Sequence, residues 1–162
     1  MTDLLENIKS AFGWRTKPIE ISCSLQLTDD EVSEVEALGK LTWEQTSSEL
    51  WEKNSGAVSW FSPMAFCYYL PGILKCSIVD RTTGLIVVHS IMSMLDRSPN
   101  PEWWDDFFLK RWPLLTNGEC KVMQEWLFWI SALNNSDFDD SSIERALETM
   151  QLLIDKRAIT GE

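Results

Sequence analysis

Residues 64–79 read MAFCYYLPGILKCSIV and say more about the fold than any other stretch of the chain. Their large apolar residues recur at the spacing of one helical face, namely Phe66, Tyr69, Leu70, Ile73 and Leu74. Ser62-Pro63 comes directly before, and a cap residue followed by proline is a typical helix start. Pro71 removes one helical amide, so we predict a core helix that is kinked at this residue.

Helix start signals recur on both sides of this stretch. Four segments have Ser or Thr followed three residues later by Glu or Gln, the capping-box pattern, and they begin at Thr28, Thr42, Thr116 and Ser141. Asn100-Pro101 is a further start, for a short helix. Residues 3–13 carry apolar side chains at helical spacing and end in Gly13. The pattern predicts a succession of helices along the whole chain.

Two segments have alternative interpretations. Residues 19–27 alternate apolar and polar, which is the period of a half-buried strand. A lone strand needs a partner strand, or else it remains an extended arm packed on helices. Residues 76–95 contain β-branched runs on both sides of a turn, which fits a β-hairpin. The alternative is a helix, because Leu85, Val88, His89, Met92 and Leu95 also share one helical face.

Length and composition fit one globular domain. The chain has 162 residues, of which 44% are hydrophobic and 24% charged, and both fractions are ordinary for a folded protein. A chain of this size can bury roughly 70% of its unfolded surface without disulfides. We therefore predict an all-α single domain over residues 1–162. Within it, residues 1–27 form an N-terminal helix followed by a short strand or an extended arm.

The chain is strongly acidic, and both halves share the excess. It has 25 Asp and Glu against 14 Lys and Arg, which gives a net charge of −11. Such a field repels nucleic-acid phosphates and anionic lipid headgroups and attracts basic proteins. We therefore expect neither nucleic acid nor a membrane as a partner. Solubility alone is the alternative explanation of the charge.

Few residues are of a type that supports metal binding or catalysis. The cysteines, Cys23, Cys67, Cys76 and Cys120, are irregularly spaced and the chain has one histidine, so we predict no metal site, redox motif or cofactor. That histidine, His89, lies in an apolar run, and we expect a packed or hydrogen-bonded core residue. We find no secretory signal and no run near the roughly 18 apolar residues of a membrane span, which favours a cytoplasmic location.

Two segments resemble a widespread family of uncharacterised bacterial helical domains. Residues 62–74, SPMAFCYYLPGIL, resemble its ExFxYYLPAYL core motif, and residues 111–127, RWPLLTNGECKVMQEWL, are similar to its FxxLTxxQxxxIxxFL segment. The likeness covers residues 28–155, but Gly72 stands where the motif has Ala and no Pro follows Thr116. It implies an all-helical fold, with helices over residues 76–95. Some such acidic domains are encoded beside polymorphic toxins, which suggests an immunity role.

We therefore expect an inhibitory binding protein, a bacterial immunity protein that covers a basic toxin domain and has no catalytic residues. Adjacent Trp103 and Trp104 point about 100° apart on a helix, so one of them should be partly exposed. The predicted contact residues are Asp29, Asp30, Glu31, Glu34, Glu102, Trp103, Trp104, Asp105, Asp106, Asp137, Asp139 and Asp140. The alternatives are an enzyme that uses His89 and dispersed carboxylates, and an adaptor or structural protein.

Overall fold

A computed structural model of the chain describes residues 2–160. The helices in this range are α1 Thr2–Phe12, α2 Asp29–Gly39, α3 Ser48–Lys53, α4 Ala57–Trp60, α5 Pro63–Val79, α6 Ile86–Leu95, α7 Asp106–Arg111, α8 Asn117–Ser131 and α9 Asp140–Thr160. Short 3₁₀ turns occupy Trp43–Gln45, Pro101–Trp103 and Trp112–Leu114. The part of the chain described has no strand or sheet, so the all-α prediction is confirmed. It also has no helix long and apolar enough to cross a membrane.

Helix α5 lies at the centre of the core. The Ser62 hydroxyl accepts the Ala65 amide, and residues 65–74 are all buried. The helix runs on through Pro71 to Val79, and the kink expected there stays a prediction. It packs against α1, α3, α6 and α7, while α8 packs on α1 and α9.

Two of the four predicted capping boxes begin α-helices. Thr28 and Thr116 form complete capping boxes at the starts of α2 and α8. The box at Thr42 predicts the start of a helix, but it precedes only a 3₁₀ turn. The box at Ser141 is wrong, because α9 begins at Asp140 and the Asp139 carboxylate accepts the Ser142 amide at 2.8 Å.

Residues 19–27 form an extended arm and not a half-buried strand. Their contact with the helices includes one isolated antiparallel bridge, between Ser22 and Phe61. Ile19 is fully exposed and Leu25 is 67% exposed, although the alternation predicted that both would face inward. Of the two interpretations of this segment, the arm is therefore the correct one.

Residues 76–95 are helical, which excludes the hairpin. Residues 76–79 end α5, and Arg81, with a φ of 50°, lies in the turn before α6. Val87, Val88 and Ile91 are completely buried on the inner face of α6. The β-branched side chains therefore pack in the core from a helix, because tertiary contacts override their strand propensity.

Candidate functional site

An open groove of about 610 Å³ runs along α6, and we call it the α6 groove. Its apolar lining is Leu25, Trp60, Ile86, Met94 and Phe107, and its polar lining is Ser59, His89, Ser90, Ser93, Arg97 and Asp105. Binding sites in proteins commonly combine this volume with a mainly apolar wall and a few polar groups. The groove is therefore the first surface to consider for function.

A contact from outside α6 fixes the wall of the groove at the start of this helix. No side chain next to Ile86 in sequence caps the helix, but the Glu52 carboxylate on α3 accepts the Ile86 amide at 2.7 Å. A carboxylate at a helix N-terminus is favoured by the helix dipole. Ile86 itself remains 52% exposed, so the contact holds an apolar side chain at the surface of the groove.

His89 lies on the outer face of α6, so its prediction as a core residue is wrong. Its side chain is 47% exposed, and its Nε2 lies 3.3 Å from Oδ2 of Asp137. The His89 ring also packs on Phe138 at a centroid distance of 4.8 Å. Thr83 holds Asp137 through two hydrogen bonds. The Thr83 hydroxyl donates to Oδ2 of Asp137 at 3.2 Å and accepts the Asp137 amide at 3.0 Å. The hydrogen-bonded histidine is thus oriented at the groove by a fixed carboxylate.

The opposite end of the groove is fixed by Arg97. Its guanidinium lies 3.9 Å from the centre of the Phe108 ring, and its Nη1 lies 3.7 Å from Oδ2 of Asp105. Asp105 also caps α7, because its carboxylate accepts the Phe108 amide at 2.8 Å. Trp104 is buried and bonded to the Ser98 carbonyl, whereas Trp103 is 76% exposed. The predicted division of this tryptophan pair is confirmed.

The predicted acidic residues fall into two groups. Four of them hold the fold through caps or side-chain contacts, namely Glu31, Asp105, Asp137 and Asp139. Glu34 belongs to the same group, because its carboxylate packs against Gly56 of the loop before α4. The carboxylates of the rest make no hydrogen bond or ion pair within the described range, namely those of Asp29, Asp30, Glu102, Asp106 and Asp140. Residues of the second group are therefore the ones available to a partner.

The structure brings two of the three acidic runs to the α6 groove. Asp105 lines it directly, and Asp137 borders it through His89. The run on α2 contributes no lining residue, although α2 packs on α4, which supplies Trp60. Residues far apart in sequence thus place a carboxylate at each end of the groove, and the one at Asp105 is paired with Arg97.

Sequence reasoning missed one exposed aromatic residue, Trp14. It is 59% exposed, yet its indole donates to the Glu119 carboxylate at 3.2 Å and its ring stacks on the Arg15 guanidinium at 4.7 Å. Ordered exposed tryptophans are common anchors at protein interfaces. Its place directly after Gly13 was the only sequence signal, since the bond to Glu119 spans more than a hundred residues.

Two further observations bear on the chemistry of the site. Within the described range, no group of three or more His, Cys, Asp or Glu side chains has the geometry to hold a metal ion. The His89 ring bonds a carboxylate, whereas activation of a nucleophile requires a hydroxyl or thiol within its reach. The groove therefore holds His89 in a fixed orientation. A reaction there would require a bound molecule that supplies the reacting group.

Comparison of the chain with protein-family models, with curated proteins and with solved structures found no match. The family resemblance of residues 62–74 and 111–127 accordingly stays a prediction.

Proposed function

We propose that the chain is an inhibitory protein-binding domain that neutralises a basic partner by covering its surface, as a bacterial immunity protein does. One observation carries the proposal: an apolar groove of about 610 Å³ lies between carboxylates that come from separate parts of the chain. Apolar area supplies affinity, and the surrounding charges select the sign of the partner.

The mechanism is occlusion, in which no covalent bond is made or broken. A net charge of −11 attracts a basic domain and accelerates encounter, and this attraction weakens with added salt. Leu25 and Ile86, both more than half exposed, then lose their contact with water against the partner. A toxin whose catalytic surface lies under this contact is inactive while the complex lasts.

Charge reversal beside the groove tests the proposal. We would co-express the chain with the protein that its neighbouring gene encodes and measure complex formation, growth and the association rate. Glu102→Lys with Asp106→Lys should slow association about tenfold or more at low salt and flatten its salt dependence. Neither side chain forms a contact that holds the fold in the described range, so the variant should remain folded.

Glu36→Lys with Glu44→Lys is the matched control, because it changes the net charge equally at exposed positions outside the α6 groove. The control should lose much less of the association rate. An equal loss of association rate in the two variants would mean that only the net charge of the molecule matters. That result would contradict partner binding at the α6 groove. Absence of any complex with a basic growth-inhibiting protein would refute the immunity role.

An enzyme is the second candidate, since Asp137 orients His89 in an open groove. His89→Asn keeps a hydrogen-bonding side chain but removes the proton-transfer group. Loss of turnover of a co-purified small molecule, with an unchanged unfolding curve, would favour the enzyme. Retained turnover, or an effect confined to partner binding, would count against it.

A further inference from the structure

Arg111 is a buried cation without a carboxylate partner. It is 6% exposed, and no Asp or Glu in the described range lies within ion-pair distance of it. Its guanidinium donates to the carbonyls of Phe61 at 2.9 Å and Phe107 at 3.2 Å, while its buried Nε has no acceptor. Buried arginines are usually paired with an acid. Arg15, which is buried to a similar degree, has such a partner in Glu119.

Arg111 lines a second, smaller depression beside α7, of about 250 Å³, which we call the α7 groove. Lys110 lines it too, is exposed, and has no carboxylate within ion-pair distance in the described range. Its other polar side chains are the hydroxyls of Ser24 and Ser59, the thiol of Cys23 and one acid, Asp106. In a chain with a net charge of −11, this groove therefore has a local excess of one positive charge.

We propose that the α7 groove binds a carboxylate group, held by the ammonium of Lys110 and the guanidinium of Arg111. Phe107 stacks on this guanidinium at 3.8 Å and fixes its plane, which matches the planar geometry of a carboxylate. Lys110 is already accessible to the ligand. Nε of Arg111 is buried and has no acceptor, so a carboxylate reaches it only when the lining of the groove rearranges.

The charge balance favours a carboxylate over a phosphate. A single negative charge neutralises the excess left by Lys110, Arg111 and Asp106, whereas a second one is repelled by Asp106 and by the acidic protein as a whole. The site does not depend on the inhibitory function proposed above. A carboxylate from a small molecule and one from a protein side chain would make the same contacts.

Sodium acetate is the probe, titrated into the whole chain at constant ionic strength with chloride as the replaced anion. The Nε–Hε resonance of Arg111, identified by its loss in Arg111→Lys, should shift with acetate and saturate. Lys110→Ala should weaken the apparent affinity about three- to tenfold, and Asp106→Asn should strengthen it by a similar factor. Lys121→Ala, at an exposed lysine outside the groove, is the control and should leave it unchanged.

Three results would overturn the site. The first is a linear shift without saturation, and the second is an equal response in Lys110→Ala and Lys121→Ala. The third is tighter binding of inorganic phosphate than of acetate at the same ionic strength, which would contradict the charge balance. Opposite effects of the Lys110 and Asp106 substitutions, with acetate preferred, would support the carboxylate site.

Discussion

The buried ion pair between Arg15 and Glu119 allows a stability change to be derived from its contacts. Oε1 of Glu119 accepts Arg15 Nε at 2.6 Å and Trp14 Nε1 at 3.2 Å. Oε2 accepts Arg15 Nη2 at 2.8 Å and the Thr116 amide at 2.8 Å. The two charged side chains are 4% and 0% exposed. The segment after α1 is thus bound to the start of α8 through one carboxylate.

Glu119→Gln keeps the shape and some hydrogen bonds but leaves the guanidinium of Arg15 buried without its counter-charge. Burial by itself lowers the pKa of Arg15, yet the hydrogen bond and the charge of Glu119 raise it above its ordinary value. Arginine stays charged even without that support. Breaking a buried pair in this way costs about 3–5 kcal/mol. That is a large part of the total of about 5–15 kcal/mol that holds a domain folded.

Removal of both charges should restore much of the loss. Arg15→Met in the Glu119→Gln background eliminates the stranded cation, and replacement of a whole buried pair is often close to neutral. We therefore expect the double variant to be more stable than Glu119→Gln alone, although one substitution has been added. A double-mutant cycle gives the coupling free energy directly.

Urea unfolding at neutral pH, followed by tryptophan fluorescence and circular dichroism, provides the free energies of unfolding. Glu125→Gln on the exposed side of α8 is the control and should change stability by less than about 0.5 kcal/mol. The reasoning is refuted if Glu119→Gln lowers the free energy of unfolding by less than about 1 kcal/mol, since a buried unpaired charge destabilises the folded state by more than that. It is equally refuted if the double variant is less stable than Glu119→Gln.

Two further predictions follow from single contacts. Gly72→Ala should destabilise by about 1–3 kcal/mol in urea unfolding, because the new methyl would lie 2.7 Å from the Thr46 hydroxyl. Gly118→Ala, whose methyl would have 3.8 Å to its nearest neighbour, should be neutral or slightly stabilising. The hydrogen bond from Arg145 lowers the pKa of Asp96, so its contribution to stability is present above an unfolded pKa of about 3.9 and is lost as the pH falls through the folded value. Asp96→Asn should therefore flatten the loss of stability below about pH 5, and an unchanged slope in acid titration would contradict this.

The parts of the fold that the sequence predicted are those whose cause is local. The boxes at Thr28 and Thr116 work because a side chain and an amide three residues apart satisfy each other without help from the rest of the protein. Ser62-Pro63 begins α5 for the same reason. Such signals also gave the all-α class, since they recur along most of the chain.

The errors at the extended arm and at His89 have long-range causes. The alternation in residues 19–27 predicted that every second residue would be buried. Ile21 and Leu27 do pack against the core, but Leu25 is 67% exposed, because the segment forms one isolated bridge at Ser22 and no sheet within the described range. His89 shares its apolar run with buried neighbours, but α6 turns it towards Asp137, which is 48 residues away in sequence. The close approach at Gly72 also comes from a distant segment, because the turn at Trp43 leaves no room for a side chain on α5 at this position.

The candidate site was predictable in its charge but not in its shape. Acidic runs can be counted in a sequence, yet the count includes Asp105 and Asp139, whose carboxylates are already committed to helix starts. The charge of a capping carboxylate is partly neutralised by the amides that it accepts. Its reversal to lysine would destabilise the helix as well as change the surface charge. A loss of partner binding after such a reversal would therefore say little about contact. The carboxylates of Glu102 and Asp106 cap no helix, so a loss of partner binding after their reversal to lysine would indicate contact with the partner.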